Sequence, residues 1–392
     1  MIRQNFKIDF SYPVYFVDSF FNGEKNKQEN IFDQSGILPG SKFFFVIDSN
    51  VVAANDELVN GIERYLETSN YKLIGTPLII PGGEISKNNF DSVNEILKAV
   101  DRNKIDRHSY LVGIGGGAVL DTVGFAAAIA HRGIRHLRFP TTVLSQNDSG
   151  VGVKNGINYF GKKNFIGTFT PPFAVINDFS FLKTLSDRDF RCGIAEAIKV
   201  GLVKDVSLFD FIEANAEKLN QRDDASIQKL IVRCAELHLQ HISSGDPFEQ
   251  GNSRPLDYGH WSAHKIEQMS DYEIRHGEAV IMGMCLDAIY ANEKKLLNDN
   301  ELLRLIHLSK KLQFELYCGE MEMENDSGNN ALLSGLQEFR EHLGGELTIM
   351  LLEKIGKGIE VHELDDILLL KAISVLKEMN SQSIIKNVRV ND

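Results

Sequence analysis

Residues 110–128 read YLVGIGGGAVLDTVGFAAA. An apolar run, YLVGI, meets the glycines Gly113, Gly115, Gly116 and Gly117 and continues as a run of small apolar residues. A strand that turns through glycines into a helix lets a pyrophosphate approach the backbone and meet the amides of the first helical turn. The run is not a GxGxxG, and the same pattern also serves a tight strand-to-helix turn that binds nothing. Asp121 stands one turn into the helix, where the helix dipole alone already favours an acid.

Working outward, apolar runs at residues 42–47, 77–80, 110–114, 136–139 and 174–176 alternate with helical patterns at 56–66, 90–100 and 118–130. Apolar strands separated by helices describe a sheet covered on both faces. Asp48 and Asn50 follow the first run, and Glu84 and Lys87 follow the second. Ligands of open α/β sheets sit at strand carboxyl ends, where acids hold ribose hydroxyls. Taken singly these are turn or cap residues. Three clusters at three strand ends point to a Rossmann-like dinucleotide site. Beyond about residue 181 helical periodicity takes over, at 189–204, 208–219, 225–242, 258–269, 277–295 and 300–311, with one strand signal at 347–351. Two domains are expected: residues 1–180, α/β, and residues 181–392, all-α or mainly helical. The opening MIRQNFKIDFSYPVYF alternates like a strand, and residues 315–346 read as a loop-rich acidic stretch.

Composition narrows the function. The 392 residues carry 42 Lys and Arg against 54 Asp and Glu, a net charge of −12, which excludes a general nucleic-acid binder. No apolar run reaches the ~20 residues of a membrane helix. The four cysteines, Cys192, Cys234, Cys285 and Cys318, form no CxxC pair and no disulfide framework, so a reduced cytoplasm is expected. The charge is uneven. Residues 132–163 hold Arg132, Arg135, Arg138, Lys154, Lys162 and Lys163 against the single acid Asp148. An acidic chain with one basic segment has the equipment to hold a small anion there, with Lys and Arg interleaved among Gly, Asn and Thr donors.

A second constellation lies in the helical half. Glu196 and Lys199 are three apart in CGIAEAIKVG, whose small apolar flanks suggest a packed helix in which a charge must be compensated. His260 and His264, four apart in DYGHWSAHKIE, share a helix face, and His276 opens HGEAV. A Glu and two or three His from separate helices can build a divalent-metal site with an open position. Equally, each His can be a satisfied core residue. His108, His131, His136, His238, His241 and His307 are read in that second way.

The order of RG, PTT, DSGVGVKNG, GKKNFIGTF, GIAEAIK, GHWSAH and HGEAV resembles the 3-dehydroquinate synthase superfamily of sugar-phosphate cyclases, and GGGAVLD and GGEISK fit its cofactor half. The resemblance runs from about residue 45 to 283, with fainter matching to 356. It implies an NAD site on Asp48, Asn50, Glu84, Lys87, Gly115, Gly116, Asp121, Thr141, Thr142 and Thr184. It implies a Zn or Co site on Glu196, His260 and His276, facing the NAD site across a cleft between domains. Asp148, Lys154, Lys163, Asn164, Lys199 and His264 would line the substrate, and Arg132 would reach the neighbouring subunit's phosphate in a homodimer. In the family, a ring hydroxyl of a sugar phosphate is oxidised with NAD, phosphate is eliminated, the hydride returns, and the opened ring closes as a carbocycle. The metal acts as a Lewis acid, and Lys199 and Asp148 orient the reacting hydroxyl.

Several positions depart from the pattern. Asp257 stands where the dehydroquinate-forming enzymes have Asn, and an ionised carboxylate only accepts hydrogen bonds. A family lysine falls at about Leu239 and a carboxylate-binding arginine at about Ser253, with Arg254 adjacent. In place of a phosphate-binding lysine near the carboxyl end stand Arg340 or His342. Lost cations turn attention to a keto-sugar phosphate without a carboxylate, such as sedoheptulose 7-phosphate, giving a valiolone-type cyclitol. The rival reading is a metal-dependent polyol or alcohol dehydrogenase of the same architecture, against which the KNG and GKKNFIG segments stand as phosphate equipment.

Overall fold

A computed structural model describes residues 1–21, 31–244, 246–248, 255–342 and 347–381. Arg254 and Ser253, and the side chain of His342, lie outside the described residues. Two units divide the chain, one ending at Ser186 and one beginning at Asp187.

The first unit is built on seven parallel strands: β1 (Val14–Val17), β2 (Lys42–Asp48), β3 (Lys72–Leu73), β4 (Leu78–Ile80), β5 (Tyr110–Gly115), β6 (Arg135–Pro140) and β9 (Ala174–Asp178). Their order is β1-β9-β6-β5-β2-β3, with β4 also on β2. The central strands are buried along almost their whole length, as apolar parallel strands must be when both faces are covered. Helices α1 (Ser49–Ala54), α2 (Leu58–Glu67), α3 (Asp91–Arg102) and α4 (Gly117–Ile129) follow strands. One core joins Phe20, Phe32, Phe43, Phe45, Tyr65 and Tyr110 on one sheet face. On the other, Phe44 and Val46 pack with Ile96 of α3 and with Val119 and Val123 of α4. Of the opening stretch only Val14–Val17 forms a strand, because it alone finds a neighbour, β9. An antiparallel ribbon of β7 (Lys154–Tyr159) and β8 (Lys162–Phe169) rises from the basic segment. It went unread in the sequence because glycines and lysines break its alternation.

The second unit is helical: α5 (Asp187–Lys204), α6 (Val206–Ala214), α7 (Ala216–Asn220), α8 (Asp224–Ser243), α9 (His260–Met269), α10 (His276–Glu293), α11 (Asp299–Lys311), α12 (Ser334–His342) and α13 (Asp366–Ser381). The pattern at 208–219 breaks at Asn215, which ends α6 with φ −110° and ψ 13°. The strand signal at 347–351 becomes β10 (Ile349–Lys354), paired with β11 (Lys357–Val361). Helices α5 and α10 are buried over most of their length. The acidic stretch 315–346 contains α12. No described helix is long and apolar enough to cross a membrane.

Candidate active site

In the first unit the ten residues assigned to a dinucleotide lie at or just beyond the carboxyl ends of β2, β4, β5, β6 and β9, which in a parallel sheet is one edge. Gly116 caps α4, whose first turn is bare of side-chain caps. Asp48 accepts from the amides of Asn50, Val51 and Gly116, so it caps α1 and also braces the glycine turn. Burial pushes its carboxyl above the ordinary aspartate value, and those amides pull it back. A Cβ on Gly82 would lie 2.0 Å from Asp48 Oδ1 and 2.3 Å from Asn50 Nδ2. Only glycine lets the PGG turn approach them. Thr141 donates its amide to Gly115 O at 3.0 Å, and the Thr142 hydroxyl accepts from the Ser145 amide at 3.0 Å. Thr184 is exposed in the 3-10 turn after β9, its hydroxyl donating to Phe181 O.

Glu84 and Lys87 share a 3-10 turn after β4. The buried Lys87 ammonium donates to Asp121 Oδ2 at 2.6 Å and also to Asn164 Oδ1 on β8. Asp148 is half-buried in a π-helical turn, Ser145–Ser149, before the ribbon. Lys154 and Lys163 lie at opposite ends of the ribbon, Lys154 beside Phe169 and Lys163 next to the turn. Arg132 is exposed, with φ 62°. Two other cations of the basic segment are structural. Arg138 is fully buried and donates to Gly150 O, Gly152 O and Asn155 Oδ1 at 3.0, 2.7 and 2.6 Å. Arg135 donates to Tyr110 Oη at 2.9 Å and lies over that ring. The positive excess therefore overstates the charge available to an anion.

In the second unit the proposed ligands converge. Glu196 of α5, His260 of α9 and His276 of α10 bring one donor atom each to within 4.8 Å of one another. His260 Nε2 and His276 Nε2 lie 3.7 and 3.4 Å from Glu196 Oε1. Each ring is anchored through its other nitrogen, His260 Nδ1 at 3.1 Å from Tyr258 O and His276 Nδ1 at 3.0 Å from Glu267 Oε2. Burial, then Lys199, His264 and His276, hold His260 well below the usual histidine range, so it stands neutral with a free lone pair. Lys199 forms an ion pair with Glu196. The His264 ring centroid is 5.4 Å from that of His260 and 5.9 Å from that of His276. Asp257 is half-buried in the turn leading to His260. Leu239 sits half-buried on α8 and Arg340 is exposed on α12.

Two contributors were not singled out in the sequence. Glu267 follows His260 and His264 by seven and three residues, so the helical period already places it on their face. Asp287 of α10 accepts from Trp261 Nε1 at 2.9 Å and the Gly259 amide at 3.2 Å, holding the start of α9. Burial pushes its carboxyl up to about 7 against those donors.

Two family models, for the amino- and carboxyl-terminal parts of 3-dehydroquinate synthase, match residues 77–192 and 193–331. The 3-dehydroquinate synthase of Nitrosospira multiformis is 36% identical over 293 residues, covering 74% of this chain and 78% of that protein. Among solved structures, 2-epi-5-epi-valiolone synthase of Streptomyces hygroscopicus subsp. jinggangensis 5008, with NAD+ and Zn2+ bound, is 27% identical with a TM-score of 0.85, covering 96% of this chain and 99% of that one. A 2-deoxy-scyllo-inosose synthase complexed with carbaglucose-6-phosphate, NAD+ and Co2+ shares the fold at 22% identity and TM-score 0.76, covering 93% and 96%. An α/β unit followed by a helical unit is thus a fold that this chain shares with these synthases. The chain belongs to the 3-dehydroquinate synthase family of sugar-phosphate cyclases.

Proposed function

We propose that this chain is an NAD- and divalent-metal-dependent lyase that eliminates phosphate from a seven-carbon keto-sugar phosphate lacking a carboxylate, such as sedoheptulose 7-phosphate, and closes a valiolone-type carbocycle. The observation that carries the reading is the Glu196 carboxylate. It is wholly buried, and apart from its ion pair with Lys199 neither oxygen makes a hydrogen bond among the described residues, while two imidazoles face it. A buried carboxylate must be met by positive charge; Lys199 pairs with one Glu196 oxygen, and the other oxygen with two imidazoles makes a Zn or Co donor set. Glu196, His260 and His276 would hold that cation. The Gly82 approach to Asp48 and Asn50 and the bare start of α4 suit NAD. When bound, NAD would take up and return a hydride and the cation would stabilise negative charge on a substrate oxygen.

The chain's own residues supply the rest. Lys199 Nζ, with His264, would hold and pass the proton of the oxidised hydroxyl. Lys154, Lys163 and Asn164 would grip the phosphate and orient it as leaving group, and Arg132 would reach a second copy's phosphate in a homodimer. Asp148 would fix the hydroxyl that reacts, with Thr141, Thr142 and Thr184 around the dinucleotide. The choice of substrate rests on the resemblance: Asp257 replaces an amide, a family lysine falls at about Leu239, and a carboxylate-binding arginine falls at about Ser253, with Arg254 adjacent. The identity to 3-dehydroquinate synthases favours a second reading, the dehydroquinate precursor itself.

The deciding experiment incubates metal-loaded protein and NAD with each sugar phosphate and follows released phosphate and NADH absorbance. Phosphate release without net NADH from sedoheptulose 7-phosphate is expected. Release only from the dehydroquinate precursor selects the second reading. Stoichiometric NADH without phosphate would sink both and leave a polyol dehydrogenase.

A further inference from the structure

Opposite Asn158 of β7 the register shifts: Ile157 pairs with Ile166 and Tyr159 with Lys162, so this one residue faces three of β8, Lys163, Asn164 and Phe165. An extra residue in one strand bends it and re-aims the side chain at that point. Facing this bulge, Asn158 reaches both the bulged part of β8 and the 3-10 turn after β4. Its backbone oxygen accepts from the Asn89 amide at 3.1 Å. Its side-chain Nδ2 donates to Glu84 Oε1 at 2.8 Å and to Asn88 Oδ1 at 3.1 Å. Its Oδ1 accepts the amide of Asn164 at 2.9 Å. Asn158 is 5% exposed, so these bonds do not compete with water.

Asn164 is held a second time. Its own Oδ1 accepts from Lys87, which lies on the same turn as Glu84. Its backbone has φ 52°, in the left-handed region, which costs energy in a residue other than glycine and persists only when its surroundings fix it. The contacts close a ring: Glu84 to Asn158, Asn158 to Asn164, Asn164 to Lys87, and Lys87 back along the turn to Glu84. One side of this ring carries the residues assigned to the dinucleotide and the other carries a residue assigned to the sugar phosphate.

We propose that Asn158 is a positioning residue that locks the Glu84–Lys87 turn to Asn164, so that dinucleotide affinity and sugar-phosphate affinity rise and fall together. A dinucleotide that orders the turn fixes Asn158, and through it the strained backbone of Asn164. By linkage, a sugar phosphate that engages Asn164 favours the same turn by the same factor. The inference rests on the function proposed above.

The test uses the full-length, metal-loaded protein. Asn158→Asp is nearly isosteric and keeps the acceptor for Asn164, but loses both donors and sets a carboxylate against Glu84. Asn158→Ala removes all three side-chain bonds without adding charge. NAD affinity is measured by calorimetry, KM and kcat from phosphate release with sedoheptulose 7-phosphate, and folding by thermal melting. Both variants are expected to melt within a few degrees of the unaltered protein. In both, NAD binding should weaken about tenfold and KM rise about tenfold, with kcat changed less than about threefold, in line with hydrogen bonds to a charged group lost from a binding site. A role confined to packing would lower the melting temperature and kcat instead. If only one affinity moves, or kcat falls with both affinities intact, the coupling role is overturned while the cyclase reading stands. If the unaltered protein binds no NAD, both fall.

Discussion

The two clusters of polar residues are opposites in hydrogen bonding. Around Glu84 and Lys87 in the first unit, the side chains satisfy one another: Lys87 is shared by Asp121 and Asn164, and Asn158 uses both its donors and its acceptor. Around Glu196 in the second unit, three donor atoms point at a common centre, and beyond its ion pair with Lys199 the carboxylate makes no hydrogen bond among the described residues. A satisfied network is rigid before its ligand arrives. A converged donor set gains stability from the ion that completes it, so the ligand contributes directly to folding stability. The first unit therefore presents a preformed surface, whereas the second holds a donor set, part-compensated by Lys199, that a metal cation would complete.

That contrast breaks most sharply at Glu196. Glu196→Gln keeps the shape and removes the negative charge, leaving Lys199 buried without its ion-pair partner. Bound zinc or cobalt, read by elemental analysis after dialysis, should fall to background, and the rise in melting temperature on adding metal should vanish. Turnover should drop by more than the ~10–100-fold that changes behind a metal ligand cost. A variant that keeps its metal and its activity would refute the donor assignment.

One step smaller, Glu267→Gln tests whether anchoring a ligand matters apart from ligation. Glu267 is buried and accepts from His276 Nδ1, which leaves Nε2 facing Glu196. A glutamine keeps the bond's geometry but weakens the ring's basicity and lets the tautomer reverse. Metal affinity by competition with a chelator should fall about 10–100-fold. A retained affinity would show that the ring is held by packing alone.

How much of this the sequence disclosed follows from periodicity. The glycine turn was legible because strand, glycines and helix are contiguous in the chain. Glu196 with Lys199, and His260 with His264, were legible because helical spacing fixes which residues share a face. Their meeting with His276 was not, since it depends on how α5, α9 and α10 pack, and only the resemblance supplied it. Glu267 obeys the same helical spacing and was open to the same reading. Asn158 was closed to it. Its partners come from a bulge in the facing strand β8, which the alternation of β7 cannot show. Arg138 misled for a related reason: charge can be counted in a sequence, but burial against carbonyl oxygens cannot.

Arg135 gives the smallest test, because it asks whether the basic segment is one surface or two. Its guanidinium lies 5.3 Å from the Tyr110 ring centroid and 5.5 Å from that of Phe173, and it donates to the Tyr110 hydroxyl. These contacts serve the edge of the sheet near the amino-terminal ends of β5 and β6, opposite the strand ends that carry Gly115 and Thr141. A cation–π contact at a partly exposed site is worth about 0.5–1 kcal/mol. Arg135→Met keeps most of the stacking area and loses the charge, so chemical denaturation should show a loss of about that size. KM for the sugar phosphate should not change, although the segment has lost one of its six positive charges. A raised KM would mean that the substrate senses the summed charge of the segment, and the division into structural and anion-holding cations would then have to be abandoned.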